Sequence, residues 1–135
     1  MQVFNGSIVA IVTPMMADGQ VDYESLENLI DWHIASGTNG IVSVGTTGES
    51  STLEIQEDLN VIKHTIDYSN SRIPIIAGTG GNSTKEAIDL TVESKILGAD
   101  GALLVTPYYN KPSQVGLIKH YEAVADAVDI PQILY

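Results

Sequence analysis

Five short apolar segments recur along the chain and alternate with longer segments in which apolar residues return every three or four positions. The short segments are rich in Val, Ile and Leu and do not alternate with polar residues. Such runs are typical of strands that are buried on both faces of a parallel sheet. The pattern predicts strands at residues 7–13, 40–44, 74–78, 101–105 and 131–135.

The four intervening segments have the periodicity of helices with one apolar face. In the first of them Leu26, Leu29, Ile30 and Ile34 fall on the same side. Helices are therefore predicted at residues 23–36, 52–68, 83–97 and 113–128.

Local signals mark where these helices begin and end. Residues 51–54 and 83–86 both fit the S-x-x-E capping box, in which side chains satisfy the free N–H groups of the first turn. Gly37 and Gly98 stand where a helix ends in a left-handed residue, which glycine adopts at little cost. These signals support the alternation of strands and helices.

Strand and helix alternation favours an α/β fold, for which two architectures fit. One is a five-stranded doubly wound sheet, which has roughly this length. The other is a (β/α)8 TIM barrel, of which residues 1–135 would form a single partial domain with about the first half of the strands. Because the chain stops at Tyr135 inside an apolar strand, with no helix to cover it, we expect the half-barrel.

Composition and charge narrow the classes of function. The chain has 135 residues, 44% of them hydrophobic, and a formal net charge of −11. Such an acidic surface repels phosphates and anionic lipids, so neither nucleic acid nor membrane is expected as a partner. The absence of cysteine excludes disulfides and thiolate metal sites, and a cytoplasmic location is the default expectation.

Hydroxyl side chains accumulate where the predicted strands end. In both architectures function gathers at the carboxyl ends of parallel strands. The hydroxyl residues at these ends are Thr13, Thr46, Thr47, Thr79, Thr106, Tyr108, Tyr109 and Tyr135.

Two glycine-containing loops follow predicted strands, and only the first is a candidate for binding an anion. Residues 45–48, Gly-Thr-Thr-Gly, could hold a small anion with backbone N–H groups and two hydroxyls, or could be a tight turn in which the threonines only cap. Residues 78–82, Gly-Thr-Gly-Gly-Asn, lack the last glycine of a dinucleotide fingerprint, and there is no phosphate-binding Gly-Lys-Ser/Thr sequence. Turn chemistry is the better interpretation of the second loop.

Other reactive side chains give weaker signals. His33, His64 and His120 lie on predicted helices without the spacing of a metal site. The lysines lie on helices or in a loop, so none resembles a Schiff-base nucleophile at a strand end. Tyr108 and Tyr109 point in different directions, and one of them could reach a site while the other packs beneath the loop.

Four segments together resemble the dihydrodipicolinate synthase family in order and spacing. They are residues 6–14 (GSIVAIVTP), 45–49 (GTTGE), 76–80 (IAGTG) and 106–112 (TPYYNKP). The resemblance implies a TIM-barrel class I aldolase that joins pyruvate to aspartate-4-semialdehyde through a Schiff base, in the diaminopimelate route to lysine. It implies no metal or organic cofactor, and a homodimer or homotetramer.

The resemblance also implies roles for individual residues. Thr47 and its loop would hold the pyruvate carboxylate. Thr46, Tyr135 and Tyr109 would form a proton relay, with Tyr109 lent by an adjacent subunit. Ser50, Asn82, Glu86 and Tyr108 match a feedback site for lysine found in some members, whereas Ile55 and Asp58 depart from the histidines that other members have there.

Two alternatives stay open beside this interpretation. The related N-acetylneuraminate lyases share the barrel and the nucleophile, but usually have a serine where this chain has Thr46. A half-barrel that binds a small carboxylate without catalysis is also compatible with the sequence. The family's Schiff-base lysine lies at the end of the sixth strand, and its substrate-anchoring arginine follows the fifth. We therefore expect these 135 residues alone to be inactive.

Overall fold

The computed structural model describes residues 4–135, and its framework is one parallel sheet of five strands. The strands are β1 (Ile8–Ala10), β2 (Gly40–Ser43), β3 (Ile75–Gly78), β4 (Gly101–Leu104) and β5 (Gln132–Leu134). The α-helices between them are α1 (Tyr23–Ala35), α2 (Ile55–Ser69), α3 (Thr84–Leu97) and α4 (Gln114–Ala127). These helices contain 13 to 15 residues. None in the described part of the chain is long and apolar enough to cross a membrane.

The order of the strands in the sheet is their order in the chain, β1-β2-β3-β4-β5. A doubly wound sheet reverses direction at a switch point, and this sheet does not. The doubly wound alternative is therefore wrong. Five parallel strands that each follow their neighbour, with four crossover helices, form the first half of a (β/α)8 barrel.

The two faces of the sheet are both buried, one against the helices and the other in the barrel interior. Ile41 and Ile75 pack against helices α1 and α2, and the Ser43 hydroxyl lies 3.2 Å from that of Thr65 on α2. The intervening residues Val42 and Ile76 are register partners on the opposite face, which is the barrel interior. Burial on both faces explains why the strands are continuously apolar rather than alternating.

Most of the core lies between the sheet and the helices. Leu26 and Ile30 of α1 and Val61 and Ile62 of α2 are fully buried in the larger cluster. A smaller cluster joins Ala87 of α3, Leu104 of β4 and Val124 of α4. The helices thus hold the strands in register and fix the positions of the loops at the strand ends.

One helix start differs from the prediction, and the others agree closely. The predicted start of α2 at Thr52 is wrong, because Ser50–Thr52 form a separate 3-10 turn and α2 begins at Ile55. Its capping contact runs from the N–H of Glu54 to the Glu57 carboxylate, at 2.9 Å. The serine of the 51–54 match plays no part in it. Ser83 caps α3 as expected.

The predicted glycine positions at the helix ends are confirmed. Gly37 follows α1 with φ of 82°, and Gly98 ends α3 with φ of 99°. Both values lie in the left-handed region that glycine adopts without strain. The chain therefore turns from each helix towards the next strand where the sequence indicated.

Candidate active site

The loops at the carboxyl ends of β2, β3, β4 and β5 surround a small pocket. It is lined by Val44, Gly45, Thr46, Ser50, Gly78, Gly80, Leu103, Val105 and Tyr135. The pocket brings together Thr46 and Tyr135, which are 89 positions apart in the printed sequence. Of the hydroxyl residues predicted at this end of the sheet, these two face one space.

The loop after β2 begins with an unusual backbone conformation. Val44 is buried and has φ of 57°, a region that β-branched residues rarely enter. Glu49, at the other end of the loop, has φ of 61°. Strain of this kind persists only where surrounding contacts enforce it, and it concentrates at functional sites. It places Gly45 and Thr46 at the mouth of the pocket, whereas Thr47 is exposed beside it.

Gly78 and Gly80 explain how this strained loop is accommodated. A Cβ atom on Gly78 would lie 2.2 Å from the carbonyl oxygen of Val44, and one on Gly80 would lie 2.2 Å from the amide nitrogen of Val105. Both distances are far inside van der Waals contact. These glycines are thus required where neighbouring backbones approach closely, which gives the 78–82 segment a packing role.

Two of the predicted hydroxyl residues have structural partners and lie outside the pocket lining. Thr13 is buried and donates to the carbonyl oxygen of Gly48 at 2.7 Å, which ties the end of β1 to the loop after β2. Thr79 is buried and lies 2.8 Å from the Thr91 hydroxyl on α3. The hydrogen bonds of these two threonines therefore fix the strand-end loops that surround the pocket.

A hydroxyl pair holds β5 to β4 next to the pocket. The Thr106 hydroxyl donates to the carbonyl oxygen of Tyr135 at 2.8 Å, and the N–H of Thr106 donates to the same oxygen at 2.7 Å. The Tyr121 hydroxyl lies 3.0 Å from that of Thr106. Tyr121 was missed by the sequence analysis because it lies on α4, far from any strand end in the chain. Helical periodicity does not predict that Tyr121 lies next to Thr106.

Tyr109 does not line the pocket. It is 93% exposed and has φ of 66°, and Lys111 two residues later has φ of 50°. The Asn110 side chain donates to the carbonyl oxygen of Asn82 at 2.9 Å and anchors the loop to the start of α3. Within the described chain, Tyr109 therefore does not meet Thr46 and Tyr135.

One of the residues matched to the lysine site, Glu86, lies near the Asp58 carboxylate of α2. Asp58 is only 7% exposed, and one of its carboxylate oxygens has no hydrogen-bond partner among the described residues. Burial, together with the nearby Glu57 and Glu86 carboxylates, raises the pKa of Asp58 to about 7. The side-chain oxygen of Asn82 is also buried without a partner there.

The histidines lie apart from one another in the described structure. His120 is buried on α4 with its ring 2.9 Å from the Thr84 hydroxyl, and burial lowers its pKa. His64 lies 3.0 Å from the Glu27 carboxylate, and His33 lies 3.2 Å from the Thr38 hydroxyl. No group of three or more histidine and carboxylate side chains within residues 4–135 is placed to hold a metal ion.

Fold and pocket together define a class: the first half of a parallel β/α barrel with a hydroxyl-lined site at the carboxyl ends of its strands. Residues 3–135 match the dihydrodipicolinate synthetase family. The chain therefore belongs to that family, as the four sequence segments indicated. Members of the family are lyases of the class I aldolase type.

Individual relatives agree with this assignment. The chain is 62% identical over 130 residues to the 4-hydroxy-tetrahydrodipicolinate synthase of Cellvibrio japonicus, covering 96% of this chain and 45% of the relative. It is 65% identical to the chloride-inhibited dihydrodipicolinate synthase of Acinetobacter baumannii in complex with pyruvate, with a TM-score of 0.97 over 98% of this chain and 46% of that one.

A third relative is the lysine-bound enzyme of Cyanidioschyzon merolae, which is 42% identical with a TM-score of 0.94 over 98% of this chain and 45% of that one. The chain thus spans a little under half the length of the relatives it matches.

Proposed function

We propose that this chain provides the pyruvate-binding and proton-transfer part of a 4-hydroxy-tetrahydrodipicolinate synthase site. The reaction is the Schiff-base condensation of pyruvate with aspartate-4-semialdehyde, in the diaminopimelate route to lysine. The observation that supports it best is the pocket shared by Thr46 and Tyr135 at the ends of β2 and β5. The pyruvate complex of the Acinetobacter baumannii relative supports the choice of ligand.

In this proposal the loop after β2 binds the carboxylate of pyruvate. Thr47 is exposed and follows Thr46, which lines the pocket, so that its hydroxyl and the neighbouring N–H groups can donate to an anion. The strained backbone at Val44 fixes that loop before ligand arrives, so that little ordering is required on binding. Among the described residues no lysine or arginine lines the pocket, so the donors that this chain offers are those of the loop.

Proton transfer is assigned to three hydroxyls. Thr46 and Tyr135 face the same pocket and can pass a proton between them when a ligand bridges the space. Tyr109, at 93% exposure on a loop with left-handed backbone, is free to reach the pocket of a second subunit. This role requires a homodimer or homotetramer of the assembled enzyme. We propose the cytoplasm as its location.

The chain alone is proposed not to form the covalent pyruvate intermediate. A Schiff-base amine must lie beside the bound carbonyl group. The lysines of this chain lie on the helices or, for Lys111, in the exposed loop before α4, and none lines the pocket. Pyruvate therefore needs a lysine nucleophile from elsewhere in the assembled barrel. The relatives' synthase names favour condensation over the N-acetylneuraminate lyase alternative.

Replacing Thr47 with valine tests the pyruvate-binding proposal. Valine keeps the shape of threonine and removes the hydroxyl donor to the carboxylate. We expect about tenfold weaker pyruvate binding, because a hydrogen bond to a charged group contributes about 1.5 kcal/mol. Calorimetric titration of the 135-residue chain measures it. Thr38→Val, before β2 at the opposite end of the sheet, is the control and should bind pyruvate like the parent. Equal affinity in Thr47→Val would contradict the proposal.

A second proposal concerns regulation by lysine. We propose that Ser50, Asn82, Glu86 and Tyr108 border a site for a basic amino acid. The carboxylate cluster at Asp58 and the unpartnered Asn82 oxygen favour it, since an ammonium group would satisfy both.

Addition of lysine should raise the midpoint of thermal unfolding in the parent chain and leave it unchanged in Glu86→Gln. Norleucine, which lacks the side-chain ammonium, is the control ligand. An equal rise with norleucine, or an equal rise in Glu86→Gln, would argue against this site.

A further inference from the structure

A series of hydrogen bonds connects the end of β1 to the loop after β2. The Thr13 hydroxyl donates to the carbonyl oxygen of Gly48 at 2.7 Å. The N–H of Glu49 donates to the carbonyl oxygen of Thr46 at 3.1 Å. The Gly48 carbonyl and the Glu49 N–H belong to one peptide group, which is planar and trans. Both sides of that peptide group are therefore held, one by the end of β1 and the other by the loop itself.

The same geometry sets the direction of the Thr47 N–H. This N–H shares a trans peptide group with the carbonyl of Thr46, so the two point in opposite directions. Since that carbonyl accepts from Glu49, the Thr47 N–H points away from Glu49. No described residue accepts a hydrogen bond from it, and Thr47 is exposed. The series thus ends in a backbone donor that is free for a ligand.

The Thr13 hydroxyl is fixed by its neighbours in the sequence and in space. Pro14 follows it, and the residue before a proline is biased towards extended backbone. Thr13 is buried, so its hydroxyl rather than water is the donor to Gly48. Gly48 fits tightly beside it, because a Cβ atom there would lie 3.2 Å from the Thr13 hydroxyl oxygen and 3.1 Å from the Cα of Val44. The contact therefore requires a hydroxyl on one residue and no side chain on the other.

We propose that Thr13 is a positioning residue for carboxylate binding, and that it acts through Gly48 on the Thr47 N–H. Each donor in the series polarises the next peptide group, which makes the last N–H a stronger donor to an anion. The held loop also needs little ordering when the ligand binds. Thr13 does not line the pocket, so it acts through the loop. This inference rests on the proposed function, since pyruvate is the carboxylate used to test it.

Replacing Thr13 with valine tests the role of the hydroxyl. Valine keeps the shape of threonine and removes the donor to Gly48. Calorimetric titration of the 135-residue chain should then show about fivefold weaker pyruvate binding, the equivalent of one net hydrogen bond. Thr13→Ser retains the hydroxyl and should restore the affinity of the parent. Ser69→Ala is the matched control, because it removes a buried hydroxyl that donates to a backbone carbonyl at 2.9 Å beside the cavity at the opposite end of the sheet. It should leave pyruvate binding unchanged.

Gly48→Ala tests the same contact from the side of the loop, and it serves alone if Thr13→Val does not fold. The added Cβ crowds the Thr13 hydroxyl and the Val44 backbone, so pyruvate binding should weaken here too. Because both substitutions act on one contact, the double variant should bind no more weakly than the weaker of the two single variants. Parent-like binding in Gly48→Ala, or losses that multiply in the double variant, would contradict the inference.

Amide hydrogen exchange of the ligand-free chain separates this inference from the proposed function. The Glu49 N–H should exchange about fivefold faster in Thr13→Val than in the parent, because its peptide group loses one of its two hydrogen bonds. Unchanged exchange, or unchanged pyruvate affinity in Thr13→Val when the parent binds, would overturn the inference and leave the proposed function standing. Faster exchange in the variant of a parent that does not bind pyruvate would uphold the positioning by Thr13 and count against the proposed function.

Discussion

Replacement of Gly78 by alanine should lower the free energy of unfolding by about 3 kcal/mol, the upper end of what overpacking usually costs. The added Cβ would lie 2.2 Å from the Val44 carbonyl oxygen, and both groups are backbone-anchored. Relief therefore requires β2 and β3 to separate, or the Val44 peptide to rotate. Either movement shifts Gly45 and Thr46 at the mouth of the pocket, so pyruvate binding should weaken as well.

Gly81→Ala is the matched control for this substitution. It lies three residues further along the same segment, and its Cβ would meet only the Glu86 side chain at 3.5 Å, an ordinary contact. Urea denaturation of both variants measures the difference in the free energy of unfolding. If Gly78→Ala and Gly81→Ala are equally stable, the close approach of the two backbones does not exist in solution.

The second large effect concerns the pH dependence of stability through Asp58. In the folded chain burial raises the pKa of Asp58 to about 7, whereas an unfolded aspartate has its ordinary value of 3.8. Between these values the folded state holds a proton that the unfolded state releases. The stability that this proton confers is fully present below pH 3.8 and is lost as the pH rises through about 7.

Asp58→Asn removes this titration and should raise the free energy of unfolding at pH 8 by on the order of 2 kcal/mol. The gain should shrink as the pH is lowered and vanish near pH 4. The lowered pKa of His120 makes stability fall at acid pH in both proteins, so it cancels in their difference. Urea denaturation across this pH range measures the effect, with Asp126→Asn on the exposed side of α4 as control. A gain that is independent of pH would refute the assignment.

Much of the fold could be predicted because its signals are local. Continuous apolar runs marked the strands, and Gly37, Gly98 and Ser83 marked helix ends, since each of these depends on neighbours a few residues away. The prediction of where α2 begins was wrong because it, too, relied on local signals alone. Ser51 and Glu54 match a capping box, but Ser51 lies in the 3-10 turn that precedes the helix, and Glu54 is the N-cap residue.

The sequence predicted the location of the site more readily than the contacts between its residues. That strand ends gather at one pole follows from parallel pairing alone, and this brought Thr46 and Tyr135 together. The left-handed backbone of Val44 could not be foreseen, because valine disfavours it and the room for it comes from Gly78 on the neighbouring strand, which has no Cβ. Tyr121 and the buried carboxylate of Asp58 likewise depend on packing between helices that are distant in the chain.

The most direct test of the central claim is to map where pyruvate binds on the isotope-labelled 135-residue chain by amide chemical shifts. We expect the largest changes at Thr46, Thr47 and Tyr135, at the carboxyl ends of β2 and β5. The larger cavity at the opposite end of the sheet, bordered by Ile73 and Asp100, should be unaffected. Changes concentrated at that cavity, or spread evenly over the surface, would contradict a family site at the strand ends.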